Sequence, residues 1–298
     1  MSSPFLRRFR VAAPAALAIV LAAVSQPQAA PAKNFIWKVT GDRTSIYLVG
    51  SVHLLTKDFY PLAAPFESSF QASDLLVEEV DFGQLMSAGA QMLLLTRGML
   101  PPDQSLDSVV SPATLALVGA RLDQLGLPMA PLKRFKPWAL ALTLSAIEWQ
   151  KAGFDADLGL DKHFYDLAQT AGKPVQGLET AEYQISRFDG MSMPEQEKLL
   201  TETVKDLDTE LTSVGTLADA WKNGDEASVE RIVLKDLKQD PPLYQRLLVE
   251  RNNNWLPKIE ALFVRPAPAF VVVGAAHLIG PDGLLAKLQA RGYKIEQM

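Results

Sequence analysis

The apolar and polar positions of this chain change period several times, and the changes mark its elements. FIWKVT (35–40) and TSIYLVG (44–50) are rich in β-branched and aromatic residues. Only Gly41-Asp42-Arg43 separates them, which predicts a β-hairpin. A proline-punctuated segment follows His53 and predicts a helix ending near Ala72. DLLVEEV (74–80) reads as a strand, and 82–98 and 112–126 carry helical spacing with a break at Gly98-Met99-Leu100-Pro101-Pro102. RFKPWALALTLSAIEWQKAG (134–153) predicts a long, largely buried helix. LDKHFYDLAQTAGK (160–173) is amphipathic and stops at Gly172-Lys173-Pro174.

PVQGLE (174–179) then predicts a short strand, and Ser192-Met193-Pro194-Glu195 has the spacing of a capping box that opens a helix to about residue 238. A further helix is expected over 243–263, a buried strand at AFVVVGA (269–275), a helix over 283–290, and a last strand in YKIEQM. Strands alternate with helices at both ends, and helices fill the middle. The expected class is therefore α/β (or α+β): a central mixed β-sheet flanked by helices, with a largely helical insertion over roughly 82–160 and 190–263. No tract reads as an interdomain linker, so residues 33–298 are expected to form one domain.

Composition modifies this picture at the amino terminus. The 298 residues are 48% hydrophobic and 21% charged, an ordinary globular balance with ample material for a core. Residues 1–32 differ: three arginines in MSSPFLRRFR precede the apolar run VAAPAALAIVLAAV and the small-residue stretch SQPQAAPA. That order describes a secretory signal peptide with cleavage near Ala32, and the apolar run is shorter than the roughly 20 residues a bilayer span needs. The expectation is export to a periplasm, with no stable membrane anchor after cleavage. Removal of the three arginines takes the net charge from −5 to −8. Such an acidic surface without basic runs disfavours nucleic acid and anionic membranes as partners. The chain has no cysteine, which excludes thiol nucleophiles, thiolate metal sites and a lipid-modified cysteine.

The candidate chemistry lies in a repeated pattern. YLVGSVHLLT (47–56) and VVVGAAHLIG (271–280) both read as an apolar strand, then Gly-x-x-His, then two aliphatic residues. Two of the chain's three histidines, His53 and His277, occupy these matched positions. Gly50 and Gly274 permit a tight turn or positive φ and allow another group to approach the backbone. The histidines then fall just beyond the carboxyl ends of strands, where open α/β sheets bind ligands. One such histidine is more often structural than catalytic, since backbone hydrogen bonds can satisfy a buried imidazole. Two, on neighbouring strands, would bring both imidazoles into one crevice. DLLVEEVD places Glu78 and Glu79 at another strand end, and strand alternation lets at most one of them face that crevice.

The blocks IYLVGSVHLL, LLVEEVDF, GLDKHFYDLAQTAGKPVQGLETAEYQ, ERNNNW and FVVVGAAHLIGPDGLLAKLQARGY follow in an order that resembles the TraB/GumN family. That family is related to the Tiki metalloproteases and, more distantly, to erythromycin esterases and ChaN-like proteins. The resemblance spans nearly all of residues 34–298. It implies that Gly50/His53 and Gly274/His277 are the paired turns. It also implies that Glu79, in Glu79-Val80-Asp81, is the site carboxylate in preference to Glu78, and that Arg251-Asn252 is the family's Arg-Asn pair.

For Tiki-like members the resemblance implies a metal-dependent peptidase. On this reading a divalent ion (Mn²⁺, Co²⁺ or Zn²⁺) is held by His53, His277 and Glu79, and lowers the pKa of bound water. Glu79, His53, His277 and Arg251 are then the catalytic candidates, and Asn252, Glu179 and Asp161 the substrate-binding ones. Gln184 falls in the same middle block, and His163, within an amphipathic helix, reads as structural. Two other readings stay open. A histidine paired with Glu79 could activate water without a metal, acting on a peptide or small-molecule substrate as an esterase-like hydrolase. Alternatively, His53 or His277 could ligate haem in a periplasmic binding protein. Serine nucleophile chemistry lacks support, since no Gly-x-Ser-x-Gly elbow is present and Ser51 has only Ala275 as its counterpart.

Overall fold

Six strands form one mixed sheet in the order β4-β3-β5-β2-β1-β6. The computed structural model describes residues 33–298, so the expected signal peptide over 1–32 lies outside the described residues. β1 (Ile36–Thr40) and β2 (Ser45–Ser51) make the expected hairpin, paired from Ile36 opposite Val49 to Thr40 opposite Ser45. β3 (Leu75–Glu78), β4 (Val175–Gly177) and β5 (Ala269–Gly274) run parallel to β2, whereas β6 (Lys294–Gln297) returns antiparallel against β1. The fold is α/β, with helices flanking the sheet.

β5 is the centre of this arrangement. Every residue of AFVVVG is buried, because parallel neighbours flank it on both edges and helices cover both faces. Each such aliphatic or aromatic side chain contributes about 1.5–3 kcal/mol on burial. The register is what builds a site: Ser51 stands opposite Gly274, and Glu78 opposite Val272. The carboxyl ends of β2, β3 and β5 therefore finish at nearly one level.

A second core lies apart from the sheet. Leu106, Val118, Leu122, Leu140, Leu144, Leu200 and Leu207 bury one another between the helices Pro112–Leu125, Pro137–Lys151 and Met193–Lys222. Within it Arg121 and Glu148, both nearly buried, pair at 2.8 Å. The long helix Met193–Lys222 joins the two cores, since Trp221 near its end packs in the main core and donates to Gly50 O at 2.7 Å.

Several element boundaries differ from the sequence reading for local reasons. The expected helix 82–98 divides into Phe82–Leu85 and Ala88–Gly98, because Ser87 caps the second piece by accepting from Ala90 N. The stretch to residue 238 divides at Gly224, whose φ of +64° no helix accommodates, giving Met193–Lys222 and Glu226–Leu237. The helix expected over 243–263 opens with Pro241–Tyr244, widens into a π turn over Gln245–Val249, and continues as Glu250–Glu260. Among the described residues no helix is long and apolar enough to cross a membrane.

Candidate functional site

The two Gly-x-x-His turns meet. A Cβ built on Gly274 would lie 3.1 Å from Glu79 Oε1, 3.4 Å from His53 Nε2 and 3.7 Å from His277 Cδ2. Its φ of −50° suits any residue, so glycine stands here because the acid and both imidazoles crowd its Cα and not because the backbone needs positive φ. Gly50 answers a different demand. A Cβ there would sit 2.4 Å from the Phe35 ring, deep in the core. The matched glycines thus serve one site and one packing contact.

His277 is buried, and its tautomer follows from its neighbours. Asn252 Nδ2 donates to His277 O at 3.1 Å and to Asp282 O at 2.9 Å, so Asn252 presents its Oδ1 to His277 Nδ1 at 2.7 Å. Nδ1 therefore carries the proton and Nε2 the lone pair. That lone pair accepts from Arg251 Nη1 at 3.0 Å. Burial pushes His277 down to about 3, with Arg251 adding to the fall against the opposing pull of Glu79, so the ring is neutral at physiological pH.

Arg251 and Asn252 share the inner face of Glu250–Glu260 with Trp255, Leu256 and Ile259, at i, i+1, i+4, i+5 and i+8. The guanidinium lies over the Trp255 ring, 4.6 Å from its centroid. Its Nε bonds Glu179 at 3.1 and 3.2 Å; Nη2 bonds Glu179 Oε1 at 2.8 Å and Glu79 Oε2; Nη1 bonds Leu247 O at 3.3 Å as well as His277. All five N–H donors of Arg251 are spent inside the protein. Arg251, expected as a catalytic residue, ties Glu79, Glu179 and His277 together.

Glu79 receives the remaining bonds of this cluster. Gly274 N donates to its Oε1 at 2.7 Å, and Gln184 Nε2 to its Oε2 at 3.2 Å. Burial alone would raise the Glu79 carboxyl, but the charge of Arg251 overrides it and holds Glu79 well below the usual carboxylate range. Glu179 accepts from Trp255 Nε1 at 2.8 Å in addition to Arg251. Asn252 and Glu179, both expected to bind substrate, are thus committed to internal partners.

His53 faces outward, its side chain 58% exposed. Its Nδ1 meets Asp161 Oδ2 at 2.8 Å, and Ser51 Oγ donates to the same oxygen at 2.6 Å. Asp161 sits in the first turn of Leu160–Ala171, which abuts the turn after β2 so closely that a Cβ on Gly159 would lie 2.2 Å from His53 O. Asp161 was expected to touch substrate; here it is the partner of His53. Its charge pushes His53 up to about 9.

Glu78 points away from this cluster, as strand alternation requires. It is 1% exposed, accepts from Phe82 N at 2.9 Å, and leaves Oε1 without a partner. Burial pushes it up to about 8. Asp81 caps Phe82–Leu85 through Gly83 N and Gln84 N. His163 is remote in role, paired with Glu67 Oε1 at 3.1 Å beside the Tyr60 ring.

A family model for TraB/PrgY/gumN matches residues 35–297. The chain belongs to this family. Curated relatives are the uncharacterized protein YbaP of Shigella flexneri, 27% identical over 245 residues (82% of this chain, 87% of that protein), and the uncharacterized protein YbaP of Escherichia coli strain K12, 26% identical over 239 residues (80% and 85%). No solved structure matches the chain.

Membership in the TraB/PrgY/gumN family raises the question of a divalent ion. Two features suit one: each histidine ties its Nδ1 to an acceptor, and both rings, with Glu79, converge on Gly274. The lone pairs themselves are engaged, because Arg251 holds both His277 Nε2 and Glu79 Oε2. Among the described residues no three His, Asp or Glu side chains form a ligand set. The expected trio does not fit a metal in this arrangement. Neither histidine lines the cleft of about 730 Å³ bounded by Asp81, Leu93, Tyr165 and Thr180, so neither could serve as an axial haem ligand there.

The sequence reading missed Ser51, Gly159 and Trp255 as parts of the site, and left Gln184 without a role. Gly159 opens the motif block GLDKH and is the one signal that could have placed Asp161 against His53.

Proposed function

We propose that this protein is an exported hydrolase that cleaves a peptide or amide bond with water activated at His53. One observation carries the reading: within a cluster of otherwise buried and internally bonded groups, His53 alone among the titratable side chains opens to solvent, with Nδ1 fixed by Asp161 and Nε2 directed toward Gly274. In its neutral form His53 takes a proton from water through Nε2 as the water oxygen attacks the carbonyl carbon. Asp161 stabilises the imidazolium that forms. The carbon–nitrogen bond then breaks as His53 returns the proton to the leaving nitrogen, giving an acid and an amine. Glu79 is a poor base because the charge of Arg251 lowers its affinity for a proton; its work is to keep the Gly274 turn and Arg251 in place.

The preference for an amide bond rests on the likeness to Tiki-type members, and export rests on the pattern of residues 1–32. A peptide and ester library assayed with the purified protein tests the reaction. The expected result is cleavage that His53→Ala reduces by about 10²–10⁴-fold, the usual contribution of a general base. Cleavage at the full rate by His53→Ala overturns the reading, and cell fractionation tests the location.

A further inference from the structure

We infer that Arg251 is the built-in cation of this site and competes with a divalent ion for the same lone pairs. The guanidinium contacts two carboxyl groups, Glu79 and Glu179, and the Nε2 of neutral His277. Two anionic oxygens and one imidazole nitrogen form a donor set of the kind that binds Zn²⁺ or Co²⁺. His53 Nε2, beside the same Gly274, would supply a fourth donor, the second nitrogen. With Arg251 in place these side chains form no ligand set; the donors, and the acceptors that orient both rings, are gathered around a planar cation whose five N–H groups are all spent on the protein.

The fit of Arg251 is too complete for casual occupancy. It is 8% exposed, stacks on Trp255, and is anchored one turn back by Leu247 O in the middle of the π turn. For a metal to take His277 and Glu79, Arg251 would have to leave two carboxyl groups and expose a charge that nothing else in the cluster satisfies. The two states exclude each other, and the protein is built in the arginine state. This inference does not depend on the hydrolytic reading, because metal binding tests it alone.

The test is titration of the purified protein and of Arg251→Ala with Co²⁺, read by visible d–d absorption and by melting temperature. The wild type should bind no stoichiometric Co²⁺ and show an unchanged melting temperature. Arg251→Ala should bind about one equivalent and gain melting temperature on doing so, and a further His277→Ala change should abolish both. Wild-type protein that holds one equivalent of metal, lost in His277→Ala, overturns the inference. So does a folded Arg251→Ala variant that binds none. If that variant does not fold with or without Co²⁺, the wild-type titration decides alone.

Discussion

Asn252 Oδ1 accepts from His277 Nδ1 at 2.7 Å, and this bond decides which ring nitrogen faces Arg251. The same amide closes off His277 O and Asp282 O with its two N–H groups. Asn252→Ala takes the partner from two buried groups, His277 Nδ1–H and His277 O, at about 1–3 kcal/mol for each, and from the part-buried Asp282 O. Urea denaturation should show a loss of at least one such increment, accompanied by reduced activity. An unchanged midpoint would contradict the bonding described.

The pH dependence of the proposed hydrolysis follows from His53. Asp161 raises its pKa to about 9, so the neutral, proton-accepting form is scarce at pH 7 and increases through pH 9. The rate should climb over that interval and level off above it. Asp161→Asn removes the charge responsible for the rise, moving the climb to lower pH while lowering the plateau. A profile that stays in place in Asp161→Asn would show that another group sets it.

Glu78 predicts an effect on stability instead of rate. Its carboxyl titrates near 8 in the folded protein and near 4.5 when unfolded, so folding holds a proton that the unfolded chain releases between those values. Stability attributable to this group is therefore present below about 4.5 and lost as pH rises to 8. Glu78→Gln keeps the shape and the bond from Phe82 N without the charge. Its advantage over the wild type should grow across that window, which melting curves at pH 4.5, 6 and 8 will reveal.

The two glycines separate activity from folding. Gly50→Ala drives a methyl group into Phe35 and should cost about 1–3 kcal/mol, the range for overpacked cores. Gly274→Ala keeps an allowed backbone and meets side-chain ends at 3.1–3.7 Å, so it should fold but displace His53 and Glu79. Circular dichroism melts with matched rate assays distinguish the two outcomes. Equal loss of stability in both would remove the distinction.

Much of this was readable in advance because strand chemistry is local. The hairpin, β5 and the glycine stop after Ala171 announce themselves through β-branched runs and punctuation. The convergence of His53 and His277 was suggested by repetition alone, and it became geometry only through the register that sets Ser51 beside Gly274. What stayed hidden was partnership. Arg251 stands out as a candidate only through the family resemblance, since nothing in ERNNNW reveals that its helix face meets two carboxyl groups. Asp161 likewise is a candidate by resemblance, while its place in a first helical turn suits any acid and does not point to His53. Contacts between distant segments decide such roles, and composition does not encode them.

The parallel pairing of β2 with β5 also governs when the protein can act. His53, Glu79, Asp161 and Arg251 all precede Ala269, and β5 must still be threaded between β2 and β3 before any of them acquires the neighbours described. A nascent chain emerging from the ribosome is therefore chemically silent until nearly all of it has been made. A fragment ending before β5 would carry most of the reactive side chains and none of the site.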